Sequence, residues 1–217
     1  MLRFIVLTAL TGVGWGASIG FDSVKPGPLP RGWTVAMTHE GGPPKWEILA
    51  DPSAPSKPNV IAQTSTDNTS GRFPLAIYEK AVLTNASVSV RFRPVSGERD
   101  QAAGIVWRYQ DPKNYYIVRA NALENNVVLY KVEGGKRISL EPKGTPSKTY
   151  GVKQKVPNDT WSVLKVDFDG PRFIVFFEGA KIMEVEDATF ASKGKTGLWT
   201  KADSVTHFDN LRIDKRR

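Results

Sequence analysis

GIVWRYQDPKNYYIVRANALENNVVLYKV, residues 104–132, reads as three consecutive antiparallel strands. Asp111-Pro112-Lys113-Asn114 is a turn with proline at its second position, and residues 121–126 form the next connection. If the first turn closes a four-residue loop, Gln110 faces Tyr115. The register then pairs Tyr109 with Tyr116, Arg108 with Ile117, Trp107 with Val118 and Val106 with Arg119. Because side chains alternate between the two faces of a strand, the stretch divides in two. Ile105, Trp107, Tyr109, Tyr116, Val118 and Ala120 make a core face, which Val127 opposite Ala120 and Leu129 opposite Val118 extend. Val106, Arg108, Gln110, Tyr115, Ile117 and Arg119 make an amphipathic face, with Val128 near Arg119 and Tyr130 near Ile117. A slip of one residue would bury both arginines, so the hydrophobic pattern favours this register.

The flanking sequence repeats the pattern. Residues 86–93 (ASVSVRFR) place Val88, Val90 and Phe92 opposite Ser87, Ser89, Arg91 and Arg93, the period-two signature of a half-buried strand. Residues 161–168 (WSVLKVDF) alternate in the same way. Further strands are predicted at 33–38, 46–49, 59–64, 73–78, 136–140, 173–177, 181–185, 194–199 and 205–213. Residues 51–58 (DPSAPSKP) read as an exposed loop within one domain, and 142–157 as a long polar loop. About a dozen short strands, turn signals every 8–12 residues and no amphipathic helix predict an all-β protein of two antiparallel sheets, a β-sandwich.

The 217-residue chain has 30 basic and 22 acidic side chains, a formal charge of +8, spread among turns and strands except at Lys215-Arg216-Arg217. The spread suits a soluble basic surface, with anionic polymer as the special partner. No nucleic-acid-binding motif accompanies it, so nucleic acid is not an expected partner. With no cysteine, a disulfide framework, a thiol nucleophile and a cysteine-ligated metal are excluded. Met1-Leu2-Arg3, an apolar run to Val13 and Gly14-Trp15-Gly16-Ala17-Ser18 have the form of an export signal, too short for a membrane span. The expected organisation is a leader over 1–17 and a single domain over 18–217, exported to the periplasm or beyond the cell with no membrane segment in the mature chain. Losing Arg3 leaves a side-chain charge of +7 (8 minus 1).

The amphipathic face of the opening stretch is the candidate binding site. Tyrosine rings offer flat apolar surfaces to the C–H groups of a sugar, and arginine and glutamine bond its hydroxyls or carboxylates. Arg108, Gln110, Tyr115, Arg119 and Tyr130 are therefore the candidate ligand-binding residues. Catalytic motifs are scarce. Glu184 and Glu186 share a strand face, and Asp187 follows, but glycoside hydrolysis needs two carboxylates flanking the bond, and this run adjoins a turn. The two histidines, His39 and His207, have no zinc-binding spacing, and no G-x-S-x-G elbow is present. His39 lies beside Glu40 in a glycine-rich loop. Asp22 and Asp209 each follow a phenylalanine in segments expected to be terminal strands, which makes them candidates for a structural calcium. No other cofactor is expected.

Residues 104–132, then FIVFFEGAKIMEVEDATF (173–190) and GKTGLWTKADSVTHFDNLRI (194–213), resemble the concanavalin-A-like, laminin-G-like jelly rolls. The resemblance is nearest to the bacterial 3-keto-disaccharide hydrolase domain family, similar in fold to family 16 glycoside hydrolases. It covers most of residues 21–213. It implies a jelly roll with a concave face that binds carbohydrate in relatives; it supplies no catalytic motif, and the E-x-D-x-x-E run of family 16 is absent here. The leading expectation is an exported carbohydrate-binding protein. The alternatives are a glycoside or 3-keto-disaccharide hydrolase, and a non-enzymatic envelope or adhesion protein that binds anionic polymer.

Overall fold

The computed structural model describes residues 16–216, which hold seventeen strands and no helix. The leader expected over 1–17 lies outside the described residues up to residue 15. Residues 16 and 17 belong to a strand, Gly16 pairing with Asp214 and Ala17 with Ile213. Among the described residues no helix is long and apolar enough to cross a membrane.

The strands are β1 (Gly16–Ile19), β2 (Gly27–Pro28), β3 (Trp33–Thr38), β4 (Trp46–Ala50), β5 (Asn59–Gln63), β6 (Phe73–Leu83), β7 (Ala86–Ser96), β8 (Ala102–Asp111) and β9 (Asn114–Asn121). They continue as β10 (Asn126–Glu133), β11 (Lys136–Ser139), β12 (Val152–Lys153), β13 (Ser162–Asp169), β14 (Arg172–Phe177), β15 (Ala180–Glu186), β16 (Gly194–Trp199) and β17 (Val205–Lys215). One sheet runs β15-β14-β13-β7-β17-β5-β4-β2, with β1 also on β17. The other runs β11-β10-β9-β8-β16-β6-β3, with β12 on β10. All pairings are antiparallel, giving the two-sheet β-sandwich that the alternating sequence predicts.

The main core lies between the sheets. Trp107 stacks on Tyr116 at 5.4 Å and on Phe168 at 6.0 Å and meets Phe173 edge-on at 5.3 Å. Each such aromatic pair adds about 0.5–1.5 kcal/mol beyond its burial, so this cluster pins β8 and β9 to β13 and β14 across the sandwich.

The register between β9 and β10 is as the sequence predicts: Ala120 opposite Val127, Arg119 opposite Val128, Val118 opposite Leu129 and Ile117 opposite Tyr130. Between β8 and β9 it differs by two residues. Trp107 pairs with Tyr116, Val106 with Ile117 and Ile105 with Val118, although Asp111 still pairs with Asn114 at the turn. A bulge between Trp107 and Asp111 absorbs the difference, and Arg108 within it is left-handed, with φ 48°. The bulge re-aims two side chains. Tyr109, expected in the main core, packs with Tyr115, Ile117, Tyr130 and Trp199 on the far face. Arg108, expected on that far face, turns its guanidinium over Phe168 and Phe173 on the core side.

The far face of the β11–β3 sheet is a second buried cluster because the sheet curls. β9 and β3 are four strand spacings apart, about 19 Å in a flat sheet at about 4.8 Å per strand. Yet the Tyr115 hydroxyl of β9 lies 2.7 Å from Thr38 Oγ1 of β3. Thr38 Oγ1 donates to Pro112 O at 2.6 Å, so Tyr115 donates to Thr38. Curling brings the end of β3 against the β8–β9 and β10–β11 turns and closes the concave face at one rim.

Candidate functional site

Closure changes the setting of the five expected binding residues. Arg108 is 1% exposed, Tyr115 and Arg119 are 0% exposed and Tyr130 is 2% exposed. Arg108 donates to Thr84 O, Phe190 O (2.7 Å) and Gly170 O (2.6 Å). Arg119 makes a two-pronged pair with Glu124, both contacts 2.9 Å, and reaches Asn126 Oδ1 at 2.8 Å. The Tyr130 hydroxyl bonds that of Tyr150. Burial pushes the Tyr115 and Tyr130 hydroxyls well above the ordinary tyrosine range, so both stay protonated. Gln110 is exposed, with its amide on Arg108 O and Lys193 O. The alternation correctly groups Tyr115, Arg119 and Tyr130, but the curl seals them.

The open geometry lies at the rim above Tyr115. A hollow of about 620 Å³ is lined by Met37, His39, Glu40, Thr69, Pro112 and Lys113, with Thr38 and Gly71. A second, of about 370 Å³, is lined by Thr38, His39, Lys113, Gly135 and Lys136, with Gly134. Thr38, His39 and Lys113 border both. His39 is left-handed, with φ 65°, a strained conformation that persists only where its surroundings hold it. Its Nε2 lies 2.8 Å from Gly135 O, and its ring meets Phe73 edge-on at 5.3 Å. A carbonyl oxygen can only accept, so Nε2 carries the proton, and in the neutral ring Nδ1 holds a free lone pair. An added Cβ on Gly71, which lines the larger hollow, would find Nδ1 as its nearest heavy atom, at 3.8 Å, so Nδ1 lies next to a residue of that hollow. The sequence shows His39 and its glycine-rich loop, but not that β3 meets two distant hairpin turns.

His207 is placed elsewhere. Its Nδ1 lies 2.7 Å from Asp51 Oδ2, and Arg93 bonds the same oxygen at 2.7 Å and Asp159 at 2.8 Å. Ser53 donates to Asp51 Oδ1 from both its amide and its hydroxyl. The serine therefore bonds the aspartate and not the histidine, which is no nucleophile–base arrangement. Burial alone would raise the Asp51 carboxyl, but the bonds from His207 and Ser53 and the charge of Arg93 outweigh it and hold it down at about 2. Burial lowers His207 against the pull of Asp51.

Both shifts have the same sign for stability. A depressed carboxyl stabilises above its unfolded value and loses that contribution as pH falls through the folded one; a depressed histidine loses stability as pH falls below its ordinary value. Asp51 then accounts for about 2 kcal/mol. Urea unfolding should show Asp51→Asn about 2 kcal/mol less stable than wild type near pH 5, with the gap closing toward pH 2. A gap independent of pH would refute the assignment.

The acidic run forms ion pairs instead of flanking a cleft. Glu184 meets Arg172, Lys181 and Lys143, Glu186 meets Lys143, and Asp187 accepts from Tyr116 at 2.6 Å. Asp22 and Asp209 do come together, through Ser56: its hydroxyl bonds Asp22, and its amide bonds Asp209 at 2.8 Å. The amides of Asn59 and Asn210 donate to the same two carboxylates. Among the described residues no group of three His, Cys, Asp or Glu side chains is arranged to hold a metal ion.

A family model described as the 3-keto-alpha-glucoside-1,2-lyase-like domain matches residues 26–214. No curated protein matches the chain. Among solved structures, the carbohydrate-binding module CBM66 from Bacillus subtilis superposes with a TM-score of 0.63 at 19% identity, covering 85% of this chain and 96% of that one. A protein of unknown function with a galectin-like fold, also from Bacillus subtilis, gives 0.56 at 12% identity, covering 93% and 100%. Domain 4 of AbnA, a GH43 extracellular arabinanase from Geobacillus stearothermophilus solved with arabinotriose, gives 0.51 at 14% identity, covering 84% and 82%. At these identities the likeness is one of fold, the jelly-roll sandwich that the sequence resembles.

Proposed function

Because the chain belongs to the 3-keto-α-glucoside-1,2-lyase-like domain family, we propose that it is an exported carbohydrate-binding protein whose sugar site is the His39 rim. The observation that carries this reading is the pair of adjoining hollows that share Thr38, His39 and Lys113. Met37 and Pro112 offer apolar surface, and His39, Thr69 and the lysines offer hydrogen bonds, the mixture a sugar ring requires. The names of the structural relatives, a carbohydrate-binding module and an arabinanase domain with a bound trisaccharide, support the same class. The buried Tyr115 acts beneath the site by holding Thr38. Export is proposed on the leader-like start, and N-terminal sequencing of material recovered outside the cytoplasm tests it.

Screening the protein against a glycan panel and then titrating the best ligand is expected to give saturable binding that His39→Ala weakens about tenfold or more. No resident cofactor is proposed, since donors already meet Asp22 and Asp209, and calcium should leave the titration unchanged. Absence of glycan binding, or full binding by His39→Ala, would sink the site.

A second reading has its own observation, the free lone pair on His39 Nδ1. In a 3-keto glucoside the carbonyl acidifies the C2 proton, and a base of this kind can take it. The electron pair left on C2 then forms the C1=C2 bond as the C1–O bond breaks, and the leaving oxygen takes a proton from water. Supplying a 3-keto α-glucoside and following enone absorbance tests this reading: turnover lost in His39→Ala supports elimination, and no turnover by wild type removes it.

A further inference from the structure

Arg137, on β11 two residues beyond Gly135, is held in an unusual way. Its guanidinium carbon lies 4.5 Å from the Tyr130 ring centroid, 4.9 Å from Phe73 and 6.0 Å from Trp199. Three aromatic faces from three strands fix it, yet it makes no hydrogen bond or ion pair with any described side chain or backbone group, and its Nη1 is sealed from solvent without an acceptor. Buried N–H groups ordinarily find acceptors because leaving one unmade costs about 1–3 kcal/mol. Arg119 and Arg93 each also enclose an Nε without an acceptor, but their terminal nitrogens, like those of Arg72 and Arg108, are bonded: Arg72 to Ala202 O, Arg108 to three carbonyls, Arg119 to Glu124 and Arg93 to Asp51 and Asp159. Arg137 has no such bond.

The surroundings of Arg137 carry the same imbalance. Lys113 and Lys136 line the smaller rim hollow, and neither has a carboxylate partner among the described residues. Lys136 adjoins Arg137 in the chain, and the backbone between the two hairpin turns is tied by Gly135 N donating to Lys113 O at 2.9 Å. Phe73, under Arg137, also carries the edge of His39. Two cations without anions thus line the proposed sugar site, Arg137 lies next to it across Phe73, the ring that also carries His39, and Glu40 is the acid that lines the larger hollow.

We propose that the site takes a sugar bearing a carboxylate, a uronic acid residue of a glycan, with Arg137 as the carboxylate's principal ligand and Lys113 and Lys136 beside it. The inference rests on the rim being the sugar site. The half-buried Arg137 seals only Nη1, so its Nε–Nη2 edge is the one that can meet a carboxylate in two parallel bonds, and a uronate is ionised at neutral pH. The aromatic rings hold the fork in place before the ligand arrives, which lowers the ordering cost of binding.

The test uses the full chain in calorimetric titrations with oligogalacturonate, its methyl ester and polyglutamate at about 0.15 M salt, where diffuse attraction is screened beyond about 8 Å. Oligogalacturonate should bind about tenfold or more tightly than the ester, and polyglutamate should bind more weakly than either. Arg137→Met, which keeps an apolar stem over the rings, should remove the preference for the acid, and Lys136→Met should reduce it without disturbing the aromatic stack; melting curves check that both variants fold. Equal binding of acid and ester overturns the carboxylate inference and leaves the sugar site standing. Equal binding of polyglutamate and oligogalacturonate overturns it in favour of a charge-only surface. Failure of every glycan in the panel removes the parent reading as well.

Discussion

Arg108→Met should destabilise the protein by about 3–5 kcal/mol, a large part of the roughly 5–15 kcal/mol that holds a domain folded. The side chain is 1% exposed and binds carbonyls from three separate segments: Thr84 after β6, Gly170 after β13, and Phe190 between β15 and β16. It also lies over Phe168 and Phe173 at 6.0 and 5.7 Å. Burial lowers its pKa below the ordinary arginine value, with the charges nearby only partly opposing that; it remains protonated because arginine starts so high. Methionine can replace the stem and much of the volume, so the cost isolates the polar contacts. Three carbonyls would lose their donor, and each buried acceptor left unmade costs about 1–3 kcal/mol. Arg108→Lys should recover only part of the loss, since an ammonium cannot reproduce a planar five-donor fork. Denaturant unfolding measures this directly. A loss below about 1 kcal/mol for Arg108→Met would mean that water replaces the guanidinium at these carbonyls and that Arg108 is no structural clamp.

The two-sheet architecture is readable from residues such as Val88, Val90 and Phe92, because burying one face of a strand imposes period two on its own sequence. The pairing of β9 with β10 is readable for the same reason. The pairing of β8 with β9 is not, because its outcome depends on a bulge built at Arg108, a residue type with no preference for the left-handed region. A glycine there would have announced the bulge. Reading the stretch without it exchanges the faces of Arg108 and Tyr109.

The candidate site is less legible for a different physical reason. Tyr115, Arg119 and Tyr130 share a face, as alternation requires, but whether a face is open depends on curvature, which accumulates over seven strands. The contact between Thr38 and Tyr115 spans 77 residues of chain, and no local pattern encodes it. Arg137 is hidden in the same way. Alternation places it on a short edge strand, where an arginine ordinarily extends into water; Tyr130 is its diagonal neighbour on β10, but only the curl turns Phe73 and Trp199 toward it.

Gly194→Ala should be still more disruptive relative to the size of the change, costing about 3 kcal/mol or more for one methyl group. An added Cβ would stand 2.4 Å from the carbonyl carbon of Arg108, 2.6 Å from its Cα and 2.8 Å from its oxygen. All three are backbone atoms, so no rotamer change relieves the overlap. The backbone they belong to is the bulge itself, already left-handed and anchored by the guanidinium to three segments. Gly194 opens β16, whose pairings with both β8 and β6 shift beside it, so moving the strand aside would cost ladder bonds on two sides. Gly20→Ala provides the control: nothing lies within 4 Å of its added Cβ, and its effect should stay within about 0.5 kcal/mol. Because Gly194 and Arg108 act on one piece of backbone, their effects should not add. Once the Arg108 clamp is removed the bulge can retreat from the new methyl, so Gly194→Ala should cost less in an Arg108→Met background than in wild type. Additive losses in a double-mutant cycle would show that the glycine and the clamp serve the fold separately, and that the bulge owes its shape to one of them alone.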